Sequence, residues 1–286
     1  MRLFLLPIST RRTLLYCQKL QVLPPEKQPW TEKITLRAAK LWAGWEQKES
    51  GWQKRVVQYG NGALRRIPYE EWGLKSVPTL SARRKQEEIM GKEKHDLIFP
   101  QSIIPAMNAP QILRTLATER EGLHRSRMLW CFIGMPITAP FALVPIIPNL
   151  PFFYLVYRAW SHYRALAGGK HLKWLSSNNF FTVRPSEILD DIYLRHLPSS
   201  NPPEQESHHS SPEARHQSDN SPIANERLLL TQDSGRQIAK ALEVPALADE
   251  LERAIWQVEN AIRKQNRESE ESSSSSNSEQ SKPKNK

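Results

Sequence analysis

The chain has 286 residues, 22 of them Pro against 11 Gly, and a mean hydropathy of −0.59, which argues against one compact core running its whole length. Its formal charge of +10 is unevenly placed: residues 198–286 carry 11 Lys and Arg against 15 Asp and Glu, leaving 29 against 15 in residues 1–197. A basic half that also holds eight of the nine Trp can meet anionic head groups or nucleic acid, and charge alone does not separate the two.

Residues 1–25 contain Arg2, Arg11, Arg12 and Lys19 and no acid. This composition suits mitochondrial targeting by a positive, partly apolar helix. A secretory signal is the alternative, but the apolar run Leu3 to Ile8 is short and no small-residue cleavage site follows it. Cys17 and Cys131 lie far apart with no Cys-x-x-Cys pair, so both are expected to be small apolar residues without a disulfide or thiolate metal site.

Residues 26–127 read as an amphipathic helical region. From Trp30 to Tyr59, Ile34, Leu41, Trp45, Trp52, Val56 and Tyr59 recur at helical steps, with Lys33, Arg37, Lys40, Lys48, Lys54 and Arg55 on the polar remainder. Such a helix packs on a partner helix or lies on a membrane, where indole rings favour the head-group boundary. Asn61-Gly62 is expected to end it in a turn. Ala82 to Lys94 is a solvated charged stretch, and Leu97 to Pro110, with Pro100, Pro105 and Pro110, an extended connection. A helix from Gln111 to Arg127 then leads into the next segment.

Residues 128–167 are expected to form a hydrophobic membrane hairpin. Met128 to Tyr157 holds no group charged at neutral pH over 30 positions, and one straight helix of that length would reach ~45 Å, beyond a hydrocarbon core of ~30 Å. Pro136, Pro140, Pro145, Pro148 and Pro151 break it, and Pro148, Asn149 and Pro151 shape a turn. Both flanks are basic, which places them on one side of a membrane. Arg127, Trp130, Arg158, Trp160 and Arg164 are the expected membrane-interface residues. The returning arm meets Arg158, His162 and Arg164 early, so it is re-entrant or needs a partner, and a buried pair of soluble helices, in keeping with the dense prolines and short arms, is the alternative.

Residues 168–198 form a basic region, and 199–222, with Ala214 as the lone aliphatic, a disordered linker. In residues 223–265, Ser234 and Gln237 resemble a capping box and Pro245 breaks the helix. Leu251, Ile255, Val258 and Ile262 continue a stripe assigned to partner docking, with packing inside the chain and homo-oligomerisation as the alternatives. Residues 266–286 read as a disordered tail.

No phosphate-cradling Gly loop, dinucleotide fingerprint or HExxH spacing is present, so no catalytic, cofactor or metal residue is assigned and no enzyme activity is expected. His162 and His171, flanking RALAGGK, read as ordinary interfacial histidines, with titration near neutral pH as the alternative. Met128 to Tyr157 lacks the ionisable groups that ion transport needs within a membrane.

Four blocks resemble the fungal mitochondrial K+/H+ exchange-related proteins: MRLFLLPISTRRTLLYCQ, WEQKESGWQKRVVQYGNGALRRIPYEEWGLKSVP, PNLPFFYLVYRAWSHYRALAGGKHL and GRQIAKALEVPALADELERAIWQV. The resemblance implies residence in the mitochondrial inner membrane and a requirement for K+/H+ exchange inside a larger membrane assembly. It supplies no catalytic residues. The expectation is an all-α protein of membrane-anchored helices with a Pro-rich hydrophobic hairpin, a disordered linker and an amphipathic C-terminal helix. It would serve as an accessory subunit or regulator of that exchange, with inner-membrane lipids as partners. The alternatives are a cardiolipin-binding scaffold and a protein bound to mitochondrial ribosomes or RNA; the absence of any nucleic-acid module disfavours the last.

Overall fold

The apolar run at the N-terminus is a strand. In the computed structural model, which describes residues 1–20, 30–91, 95–140, 149–196 and 226–279, β1 (Arg2–Pro7) and β2 (Thr13–Gln18) form an antiparallel hairpin. β3 (Asp96–Phe99) and β4 (Thr182–Pro185) extend it in parallel to a four-stranded sheet of order β2-β1-β3-β4. This sheet corrects the all-α expectation. β1 is buried on both faces, with Phe4 and Leu6 in one core and Leu3 and Leu5 in the other. A doubly buried strand shows a continuous apolar run rather than alternation, which periodicity alone does not distinguish from a helix. β3 likewise occupies part of the stretch expected to be an extended connection, and α5 (Ala109–Thr118) follows, with Pro110 in its first turn, where a missing N–H costs nothing.

One face of the sheet is covered by α8 (Glu187–His196), α9 (Gln232–Ala241) and α10 (Pro245–Glu279). Leu251, Ile255 and Val258 are buried there with Phe4, Leu6 and Ile8, and Ile262 packs against the same core. The stripe assigned to partner docking is therefore spent inside the chain. Thr231, not Ser234, is the N-cap of α9: its hydroxyl accepts from the Ser234 N–H, and Ser234 Oγ accepts from the Thr231 N–H at 2.8 Å. The break at Pro245 falls where α10 begins. That helix continues to Glu279, into the residues read as a tail, with Arg263–Glu259 and Lys264–Glu268 pairs along it. The linker at 199–222 and residues 280–286 lie outside the described residues.

The other face is covered by α3 (Tyr69–Ser76), α5 and α7 (Leu150–Ser177). α3 and α7 touch backbone to backbone: a Cβ on Gly168 would sit 2.0 Å from the Leu74 carbonyl oxygen. Gly168→Ala is accordingly expected to force the helices apart and destabilise the chain by about 1–3 kcal/mol, the usual cost of overpacking. Urea unfolding reads this, with Gly122→Ala, whose Cβ meets nothing within 4 Å, as the control. Equal midpoints for the two variants would contradict the close crossing.

The single helix expected over 30–59 is two, α1 (Trp30–Glu46) and α2 (Trp52–Arg65), parted at Gly51 with φ +106°. That backbone suits Gly, whereas Asn61 and Gly62 take ordinary helical positions inside α2. α1 lies on α2 through Trp42 against Gly60 and an edge-to-face contact of Trp45 with Trp52 at 5.3 Å. α4 (Ala82–Ile89) starts at Ser81, whose hydroxyl accepts from the Arg84 N–H.

α6 (Glu121–Thr138) and α7 pack side by side, and Asn149 joins them. Its side-chain oxygen accepts from the Phe152 N–H at 3.1 Å, and its amide donates to the Thr138 carbonyl at 2.6 Å. Asn149 is thus the N-cap of α7 and Pro151 sits in its first turn, while Pro148 lies outside the described residues. No helix among the described residues is long and apolar enough to cross a membrane, which overturns the membrane-spanning hairpin at 128–167. The reason is in α7: the apolar run ends at Arg158, and Arg158, Ser161, His162 and His171 turn into the body of the protein instead of ending at a lipid boundary.

Candidate functional site: a buried Glu-Arg-His joint

Arg158, Ser161 and His162 stand at i, i+3 and i+4 on the buried face of α7, so they meet the same neighbours. Those neighbours are Glu71, in the first turn of α3, and His124, in the first turn of α6. All five side chains are buried. Arg158 grips Glu71 with both arms of its guanidinium, Nη1 to Oε1 at 2.9 Å and Nη2 to Oε2 at 3.1 Å, and Ser161 Oγ donates to Oε1. Arg158 Nη2 also lies 3.1 Å from His162 Nε2, and the Nδ1 atoms of His162 and His124 are 3.0 Å apart.

This geometry fixes where the protons are. A guanidinium only donates, so His162 Nε2 accepts from Arg158. His162, when neutral, then carries its proton on Nδ1 and donates it to Nδ1 of His124. His124 in turn holds its own proton on Nε2, which has no hydrogen-bond partner among the described residues. The result is one directional chain, Arg158 to His162 to His124, anchored on Glu71.

Burial pushes His162 down to about 4; the Glu71 charge opposes this and the Arg158 charge adds to it. Burial also lowers His124. Glu71 would be raised by burial, but the Ser161 hydrogen bond and the Arg158 charge outweigh it and hold the carboxyl below its ordinary value. At neutral pH the joint is an ion pair with two neutral imidazoles.

His124, His162 and Glu71 bring three donor atoms within 4.8 Å of one another, the spacing a divalent ion requires. Their surroundings do not fit one. Metal on His162 Nδ1 would move its proton to Nε2, directly against the Arg158 N–H at 3.1 Å, whereas a metal-bound His needs an acceptor there. A shared proton satisfies both nitrogens of His162 and a metal does not.

Lys75, one turn beyond Glu71 on α3, extends the joint. Its Nζ lies 3.5 Å above the Trp72 ring and 3.3 Å from the Tyr157 hydroxyl, and burial lowers it to about 8. Arg253 of α10 stacks on the same Trp72 ring at 4.4 Å. A cavity of about 450 Å³ opens beside it, walled by Tyr16, Gln18, Lys19, Lys75, Ser76 and Glu243.

A second buried cluster lies further along α7. His171 Nδ1 donates to the Pro78 carbonyl at 2.8 Å, and its Nε2 lies 2.8 Å from Glu88 Oε1, so the His171–Glu88 pair holds a proton between them. His95 Nε2 is 3.6 Å from the same oxygen, and burial takes His95 down to about 4.

Acid is expected to weaken the fold through these histidines. His162 and His95 have folded values near 4 against an ordinary value of 6.5, so folding favours their neutral forms. Their contribution is complete above pH 6.5 and is lost progressively as the pH falls toward 4, where Glu71 begins to add to the loss. The urea midpoint should be level above pH 7 and decline between pH 6.5 and 4, with a shallower decline in His162→Gln. A flat profile over that window would rule out neutral buried histidines.

Of the residues singled out as membrane-interface groups, Arg127 and Trp130 are exposed on α6. Trp160 is half-buried beside Tyr163, with ring centroids 5.7 Å apart. Arg164 is half-buried and reaches the Lys75 carbonyl at 3.4 Å. Arg158 is a correction: it is locked on Glu71 inside the protein and not at a head-group boundary. Glu71, His124 and Lys75 carried no motif. The available signal was RAWSH, which places an Arg, a Ser and a His on one side of an otherwise apolar helix.

Sheet, helices and joint together define a mixed α/β body in which α3, α6 and α7 are fastened to one another by a buried ion pair and a hydrogen-bonded pair of histidines. The mitochondrial K+-H+ exchange-related family matches residues 2–176, and the chain belongs to it. An uncharacterized protein of Schizosaccharomyces pombe is 31% identical over 192 residues, 66% of this chain and 81% of its own length. An uncharacterized protein of Saccharomyces cerevisiae is 28% identical over 247 residues, 78% of this chain and 73% of its own. No solved structure matches. Membership associates the chain with mitochondria and with K+/H+ exchange.

Proposed function

We propose that this chain is a non-enzymatic accessory subunit or regulator of mitochondrial K+/H+ exchange at the inner membrane, acting within a larger assembly and not as the conducting path. The observation that carries this reading is the closed state of the joint. An ion path needs ionisable groups that face water or the ion. Here both oxygens of Glu71 are taken by Arg158 and Ser161, and the two histidines face each other. Such an arrangement holds a hairpin in place and answers to protons, but offers K+ no ligand.

Two measurements test it. Mitochondria lacking the gene should swell less in potassium acetate, and normal potassium-dependent swelling would end the proposal. The purified chain alone in liposomes should show no K+/H+ exchange, whereas robust exchange would make it the transporter itself.

A further inference from the structure

From Gly122 to Ser186 the chain has no Asp or Glu and seven Lys and Arg. Within this stretch Trp130, Phe132, Ile133 and Ile137 of α6 and Phe153 and Tyr154 of α7 are between 45% and 68% exposed. The four on α6 fall within about 160° of one face. Exposed Arg125 stands below that face, paired with Glu121, and exposed Arg127 stands at the foot of the same helix, turned about 140° from the centre of the face.

The dimensions and charge select what covers it. Met128 to Thr138 rises ~16 Å. That is half of a hydrocarbon core of ~30 Å. Pro136 lies inside α6 and has no N–H, which removes the helical partner of the Phe132 carbonyl. A freed carbonyl is hydrated at shallow depth, whereas at a bilayer centre a neighbouring helix, side chain or buried water has to satisfy it. A second copy docking by the same face would bring Arg125 and Arg127 of both chains together, with only Glu121, already held by Arg125, between them. Anionic head groups meet them with opposite charge.

We propose that the α6/α7 hairpin docks on an anionic lipid surface by sinking its exposed aromatic and aliphatic side chains into one leaflet, without crossing it. Arg125 and Arg127 then lie against the phosphates and the Glu71–Arg158 joint stays outside in the body. This holds whether or not the chain takes part in K+/H+ exchange.

The test uses the full chain with phosphatidylcholine vesicles made with and without cardiolipin. Sedimentation should show binding to the cardiolipin vesicles, reduced about fivefold by Arg127→Ala, the share of one basic residue near such a surface. Trp130→Asp with Phe153→Asp should reduce it at least tenfold, while Met107→Asp, at a position 91% exposed on another part of the molecule, should leave it unchanged. Trypsin added outside sealed vesicles should cut on both flanks of the hairpin. Absence of cardiolipin-dependent binding, binding that survives the double substitution, or protection of one flank would each overturn the proposal. Self-association abolished by the double substitution, with no vesicle binding, would do so in favour of a second copy.

Discussion

Removal of residues 1–18 is expected to abolish folding, leaving a chain recovered as aggregate or without a cooperative unfolding transition. These residues are two of the four strands, and β1 joins β2 to β3. Without them β3 loses its partner on one side, and both cores lose their centre, because Leu3 and Leu5 serve one and Phe4 and Leu6 the other. A milder variant gives a number. Leu5→Ala removes a fully buried side chain from the middle of the sheet and should cost about 2–5 kcal/mol, the range for such cavities. A stable, cooperatively folded deletion would show that the hairpin is dispensable. Any targeting role of residues 1–25 has to be compatible with this structural one.

Glu71→Ala is expected to destabilise the chain by about 3–5 kcal/mol, the usual loss when one member of a buried ion pair is removed. The charge left behind is the reason. Arg158 would keep its guanidinium beside His162 with no anion, in a site where burial already disfavours a charged imidazole. Arg158→Ala should cost a comparable amount, because Glu71 then retains only Ser161. The double variant should be less destabilised than the two single losses added together, since it buries no lone charge. Additive losses in urea unfolding would mean that the pair does not act as a unit. In mitochondria, full rescue of potassium-dependent swelling by a stably expressed Glu71→Ala chain would separate the joint from the proposed role.

Several elements were legible in the residues. Helical spacing over 30–59, an apolar helix pair on either side of Asn149 and the break at Pro245 follow from period and Pro. The spacing points, however, to one helix over 30–59 and one over 111–127, where the structure divides each in two. The strands were not, because β1 is apolar without alternation and β3 is only four residues long, too short to show a period. The joint was half legible. Arg158 and His162 stood out as charge and imidazole in an apolar helix, but their proximity suggested a membrane edge when the partner, Glu71, lay 87 residues away in an unremarkable polar stretch.

By itself the sequence determined the family, the uneven charge, the apolar pair of helices and the acid-free stretch around them, because composition and local period are properties of neighbouring residues. Only the tertiary structure decided that the basic N-terminus is the centre of a sheet, that the stripe at 251–262 packs inside and that Arg158 faces a carboxylate. Each of these depends on which residues, distant along the chain, come to share one buried place. A strand covered on both faces, a helix stripe facing its own body and a desolvated Arg take their meaning from the partner, and no local pattern names the partner.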